Sequence, residues 1–276
     1  MLPVTRRLPT FGPMLTDQLT DRRAVVCGST QGIGRATAEL LAARGAHVTL
    51  VARNEEALRQ VAAALPAAHG QQHDWLVADF TRPAELAEQL AAYVAQRPAA
   101  HILVNNTGGP AGGPLLSASV DDLRAAFEQH VVCNHLLAQA LVPGMRAAGY
   151  GRIINVISTS VKQPLPNLGV SNTTRGAVAS WAKTLANELG PSGITVNNVL
   201  PGATLTQRHT SLLAARSTST GTPVEELETQ MKRLIPAGRF GLAEEVAAAV
   251  AFLASPLAAY INGTNVPVDG GRTGSL

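Results

Sequence analysis

The chain has 276 residues, 46% of them hydrophobic and 4% aromatic, with a formal net charge of +3. That length and apolar share suit one large α/β core, and scattered Lys and Arg with few rings to stack on bases argue against a nucleic-acid partner. Cys27 and Cys133 lie far apart without histidines at metal-ligand spacing, and no apolar run reaches the ~18 residues that cross a bilayer. Disulfide, metal and membrane roles therefore drop out, and a cytoplasmic protein is expected.

Residues 1–20 contain Arg6, Arg7 and three prolines without the apolar stretch of a secretory signal, and read as an N-terminal extension. Beyond them β-rich runs alternate with amphipathic helical patterns. Strands are expected at 24–28, 47–52, 74–79, 101–105, 152–157, 195–200 and 264–268. The alternation predicts a doubly wound α/β fold, a parallel sheet of about seven strands with helices on both faces, as one domain over 21–276. Val170, Val178, Trp181, Ala182, Leu185 and Leu189 recur at helical spacing and stop at Gly190-Pro191. Between the sixth and seventh strands, residues 206–236 are polar, with a Ser/Thr-rich stretch at 217–223 separating two helix-like pieces. This insertion is expected to act as a lid, with Leu212, Leu213, Leu227, Met231 and Leu234 as an apolar wall.

The first strand runs into Gly28-Ser29-Thr30-Gln31-Gly32-Ile33-Gly34, which opens a helix. Glycines there let the backbone turn sharply and approach a pyrophosphate, whose charge is met by amides at the helix N-terminus. The strand-loop-helix context makes a dinucleotide the expected ligand. The second strand ends in Ala52-Arg53-Asn54, with no acid to bind a ribose 2′-hydroxyl, so Arg53 is expected to meet a 2′-phosphate and the cofactor to be NADP(H). Arg35 is a candidate second charge near it.

With Asp79, Asn105-Asn106-Thr107-Gly108, Asn134, Asn155-Val156-Ile157-Ser158, Pro201-Gly202 and Asp269-Gly270-Gly271 in order, the chain resembles the short-chain dehydrogenase/reductase family over roughly residues 20–271. It is most similar to the 3-oxoacyl-carrier-protein reductase-like members. The resemblance implies a Rossmann-type sheet, a nicotinamide cofactor, a small-molecule substrate and a homodimer or homotetramer. It also implies that Asp79 meets the adenine and Asn105 the adenosine end, with Gly108 in the same wall. Pro201, Gly202 and Thr206 are then expected near the nicotinamide carboxamide.

By the same resemblance Ser158 polarises the substrate carbonyl and Asn134 holds a water of the proton relay. Counting from Ser158, the family's tyrosine acid falls on Ser171 and its lysine on Arg175. An aliphatic hydroxyl is a far weaker acid than a phenol of pKa ~10, and Arg175 keeps its proton at neutral pH. Its fork still suits a ribose, or a substrate carboxylate or phosphate. Lys162, in the loop after the fifth strand, is a candidate replacement acid, set against an exposed loop lysine. His130, His135 and His209 are weaker candidates, and both cysteines read as packing residues. The expected activity is NADPH-dependent reduction of a carbonyl or related electrophile, an activated ketone, quinone-like ring or iminium included. The alternative is a non-catalytic NADP(H)-binding or scaffold protein of the same fold.

Overall fold

A computed structural model describes residues 19–275. Its strands are β1 (Arg23–Cys27), β2 (His47–Ala52), β3 (Asp74–Val77), β4 (Ile102–Asn105), β5 (Gly151–Val156), β6 (Ile194–Pro201) and β7 (Asn265–Val268). They form one parallel sheet in the order β3-β2-β1-β4-β5-β6-β7. All seven lie where the apolar runs predict, with small shifts at their ends. The helices are α1 (Gly32–Ala43), α2 (Glu55–Ala64), α3 (Pro83–Gln96), α4 (Val120–Phe127), α5 (Cys133–Ala147), α6 (Gly169–Leu189), α7 (Gln207–Thr220), α8 (Val224–Arg233) and α9 (Ala243–Ala254).

A parallel sheet is covered on both faces, so its strands are apolar throughout rather than alternating with polar residues. In β1, Ala24 and Val26 join an apolar cluster with Leu41 of α1, Leu58 of α2 and Val250 of α9. Their neighbours Val25 and Cys27 point the other way, into a cluster with Leu86 of α3, Leu141 of α5 and Ala186 of α6. Leu19, which falls within the expected N-terminal extension, is fully buried in the first cluster. Residues 1–18 of that extension lie outside the described residues. Among the described residues, no helix is long and apolar enough to cross a membrane.

A row of asparagines crosses the sheet from β4 to its β7 edge. Asn105, Asn155, Asn198 and Asn265 occupy paired positions on β4, β5, β6 and β7. Each amide nitrogen donates to the next amide oxygen at 2.8 Å, from Asn105 to Asn155, Asn155 to Asn198 and Asn198 to Asn265. Buried amides are costly unless paired, so this row pins the register of four strands.

Two segments differ from the sequence reading. The Ser/Thr-rich stretch does not break the 206–236 insertion at residue 217, because α7 continues to Thr220. Thr218 and Thr220 donate their hydroxyls back to the carbonyls of Ala214 and Arg216, at 3.0 and 2.9 Å. This internal bonding lets hydroxyl side chains stay helical, and the break comes at Gly221, with φ of 70°. Secondly, α4 and α5 are joined by a π-helical turn over Glu128–Val132 that carries His130. Such turns are rare and occur mostly as single wide turns within α-helices.

Candidate active site

In the sheet order, β1 is followed on one side by β2 and on the other by β4. The loops leaving β1 and β4 therefore diverge, opening a crevice at the carboxyl ends of the strands, where doubly wound sheets bind ligands. A cleft of about 500 Å³ occupies it. The glycine loop forms its floor. Gly28 has φ of 60°, and a Cβ on Gly34 would lie 2.1 Å from the Gly28 carbonyl oxygen, so only glycine lets α1 approach the loop this closely. Thr206 caps α7, accepting the His209 amide at 3.3 Å. Its Cγ2 lies 3.3 Å from where a Cβ on Gly32 would be. The amino ends of α1 and α7 thus meet beside the cleft, both suited to negative charge.

Of the residues expected at a cofactor, Gly28, Thr30, Gln31, Gly32, Ile33, Arg53, Asp79, Gly108 and Thr206 line this cleft. Arg53 is exposed at the end of β2, and Asp79 accepts the Thr81 amide at 2.9 Å, the main cause holding its carboxyl below the usual range. Ser29 is instead buried and staples the loop to β2, its Oγ accepting from Val51 N at 3.0 Å. Asn105 belongs to the asparagine row behind the wall, and the neighbouring Asn106 faces the cleft, donating to the carbonyls of Cys27 and Gly28. Pro201 ends β6 and Gly202 follows it, both beside Val268 without lining the cleft. Arg35 is paired with Glu39 at 2.8 Å along α1 and is not among the residues that line the cleft.

The turn after β5, the middle of α6 and the π turn converge beside the cleft. Ser158 is half-buried, and its Oγ accepts the Ser160 amide at 3.1 Å. That contact occupies a lone pair and leaves the O–H as a donor for another group. Ser171 is half-buried one helical turn before Arg175 on α6. Arg175 is 7% exposed, and its only hydrogen bond among the described residues is a long one from Nη1 to the Val156 carbonyl at 3.5 Å. Burial and then the nearby Arg208 charge lower its pKa to about 10, so it remains a cation at neutral pH. Asn134 is buried at the start of α5, and Lys162 is half-buried just beyond the Ser158 turn.

The histidines separate clearly. His130 is 1% exposed and shares a 2.7 Å hydrogen bond between Nδ1 and Thr107 Oγ1, while its Nε2 has no partner among the described residues. Burial, then Arg175 and Arg208, lower its pKa to about 3. His135 is exposed and accepts from the Trp181 indole, and His209 stacks edge-on against Phe240 at 4.5 Å. Cys133 is buried and its thiol is pushed up to about 12 mainly by desolvation, while Cys27 is raised further for the same reason. Sequence reasoning missed Arg208. It follows Thr206 by two residues and sends Nη1 and Nη2 to the carbonyls of Gly109 and Pro110, at 2.9 and 3.1 Å. Only its proximity to Thr206 hinted at this, because the reach spans distant parts of the chain.

A seven-stranded doubly wound sheet with a glycine-floored cleft at its switch point defines a dinucleotide-binding α/β protein. The family model described as Enoyl-(Acyl carrier protein) reductase matches residues 28–273. The 3-oxoacyl-[acyl-carrier-protein] reductase of Vibrio cholerae is 34% identical over 255 residues, 92% of this chain and 98% of the relative. The L-sorbose reductase of Gluconobacter frateurii, solved with NADPH and L-sorbose, superposes with a TM-score of 0.88 at 32% identity, covering 95% of this chain and all of that one. YwfH, an NADPH-dependent reductase involved in bacilysin biosynthesis, gives a TM-score of 0.87 at 30% identity over 92% of this chain and 99% of its own. The chain belongs to the short-chain dehydrogenase/reductase family.

Proposed function

We propose that this protein is an NADPH-dependent reductase of a carbonyl or related electrophile, working with an altered proton-donating corner. The observation that carries the reading is the cleft itself, in which a glycine floor and an exposed Arg53 at an acid-free strand end suit a phosphorylated dinucleotide. The NADPH-dependent relatives support it. The loop from Gly28 to Gly34 and the start of α1 would hold the pyrophosphate, and Arg53 the 2′-phosphate. Asp79 and the wall of Asn106 and Gly108, backed by Asn105, would hold the adenosine, with Thr206 towards the carboxamide and Pro201 and Gly202 behind it. When bound, NADPH supplies the hydride.

Ser158 presents its O–H to the oxygen of the electrophile, and Asn134 supports a water beside it. Ser171 and Arg175 stand where the family pattern has tyrosine and lysine. An aliphatic hydroxyl at 171 is a poor acid beside a phenol of pKa ~10. Arg175 contributes a fixed positive charge in a buried setting, where it stabilises negative charge developing on the substrate. Such a corner favours electrophiles that need charge stabilisation more than direct proton donation, such as activated ketones and quinone-like rings. Residues 206–236 act as a lid within the single domain, a role supported by Arg208 bridging α7 to the loop after β4. Exposed Val120 and Phe127 on α4 favour a homodimer or homotetramer.

The test is the emission of NADPH mixed with the protein and a panel of ketones, quinones and imines. Shifted emission that then decays is expected. Shifted emission that persists across the panel would favour a non-catalytic NADP(H)-binding protein.

A further inference from the structure

We propose that Arg175 and Arg208 form an anion site at the inner end of the cleft that takes the carboxylate of the substrate. The inference rests on the reductase reading and specifies its substrate class. Arg175 comes from α6 and Arg208 from α7, yet both guanidinium groups meet beside Gly109. A Cβ on Gly109 would lie 2.7 Å from Nη2 of Arg208 and 3.5 Å from Nη2 of Arg175. Glycine at 109 therefore makes room for two like charges to approach each other.

Like charges in a partly buried corner repel, and a protein ordinarily relieves this with carboxylates. Here no carboxylate of the described residues pairs with either guanidinium. Arg208 makes two hydrogen bonds, both to the neutral carbonyls of Gly109 and Pro110, and Arg175 makes one long bond to the carbonyl of Val156. A guanidinium carries five N–H donors in a planar fork, so most of the donors in this corner remain available. His130 feels both guanidinium charges, and its imidazole is kept neutral, so it adds no third positive charge. The Thr107–His130 hydrogen bond fixes that imidazole on the π turn.

The ligand that completes this arrangement is planar and negatively charged. Two guanidinium forks match the geometry of a carboxylate, accepting on both oxygens. The cofactor also brings an anion, its pyrophosphate, but the glycine loop and the start of α1 already provide amides for that group. Ser158 lies on the turn that packs against α6, the helix carrying Arg175. A carboxylate held by the two arginines would hold the adjoining electrophilic carbon near the Ser158 hydroxyl. The substrate class is thus an oxo acid or another carboxylate bearing an electrophile close to the acid group.

The experiment uses the full chain loaded with NADP+, which prevents reduction of a ketone and isolates binding. Benzoylformate and benzoate are titrated by calorimetry, each against its neutral counterpart, methyl benzoylformate or benzamide. The expected result is that at least one carboxylate binds and its neutral counterpart binds about tenfold or more weakly, as loss of a charge-assisted pair implies. Arg208→Gln, at an exposed residue, should remove that preference while the NADP+ dissociation constant stays within about threefold. Gly109→Ala, which crowds Arg208, should act in the same direction, with the thermal melt checking that the variant is folded. Equal binding of charged and neutral partners would overturn the proposal, as would no carboxylate binding by a protein that binds NADP+. Arg208→Gln weakening NADP+ while sparing carboxylate binding would overturn it too, reassigning the pair to the cofactor pyrophosphate. Failure of the wild type to bind NADP+ at all would instead strike the reductase reading.

Discussion

Thr107 Oγ1 and His130 Nδ1 share a hydrogen bond of 2.7 Å that ties the loop after β4 to the π turn between α4 and α5. The bond joins a wall of the cleft to a helix on the same face of the sheet. It also buries an imidazole beside two arginines, and the consequence is a defined dependence of stability on pH.

In the unfolded chain this histidine takes up a proton as pH falls through ~6.5, whereas folding holds it neutral down to about 3. Between those limits the unfolded state binds more protons. The group's contribution to stability is therefore full above pH ~6.5 and declines as pH falls towards the folded value. The slope is at most about 1.4 kcal/mol per pH unit for one such group. In urea unfolding, the wild type should lose about 2 kcal/mol more than His130→Gln between about pH 7 and about pH 5. Parallel losses in the two proteins would show that the imidazole is not held neutral.

A second expectation concerns the asparagine row. Asn155 accepts from Asn105 and donates to Asn198, so Asn155→Ala leaves a buried donor and a buried acceptor unpaired. Each orphan costs about 1–3 kcal/mol, giving a loss of about 3 kcal/mol in all. The urea midpoint reads it. A loss below about 1 kcal/mol would mean that water or rearrangement satisfies the row.

All seven strands and the glycine cradle were legible in the sequence because both rest on local signals. Apolar runs such as Val25–Cys27 and Ile102–Val104 mark strands buried on two faces, and Gly28, Gly32 and Gly34 mark a close backbone approach. The chain's own sequence does not display pairings between distant residues. Asn105 resembles a cofactor residue by motif, yet its amide is committed to Asn155 on the next strand. Arg35 has the right sign for a phosphate but has Glu39 one helical turn away, an i,i+4 partner that the sequence does contain. Arg208 acquires its place only when α7 folds over the loop after β4, and the π turn around His130 has no periodic signature of its own.

Arg53 is the expected discriminator between the two nicotinamide cofactors. It is exposed at the end of β2 and lines the cleft beside Asp79. Replacing it with alanine removes a charge-assisted contact to a 2′-phosphate and leaves an unphosphorylated ribose little affected. Arg53→Ala should weaken NADPH binding by about tenfold or more and NADH binding by less than about threefold, measured by fluorescence titration. Equal losses for both cofactors would assign the residue to general cleft electrostatics.

The proton-donating corner yields the sharpest test of the proposed chemistry. Ser171 precedes Arg175 by one helical turn, so the pair shares a face of α6, the helix that packs against the turn after Ser158. Ser171→Tyr combined with Arg175→Lys would install a phenol and an ammonium in those places. General acid catalysis by a positioned group is typically worth about a hundredfold or more. The double variant should therefore gain NADPH-dependent turnover on an unactivated ketone such as cyclohexanone. It should also gain an ionisation in its pH profile that the wild type lacks. The same variant replaces one fork of the guanidinium pair with a point charge, so its preference for carboxylates should shrink. If turnover stays unchanged while NADPH still binds, the corner draws its proton from another group. Lys162, half-buried beyond the Ser158 turn, is then the residue to replace with methionine.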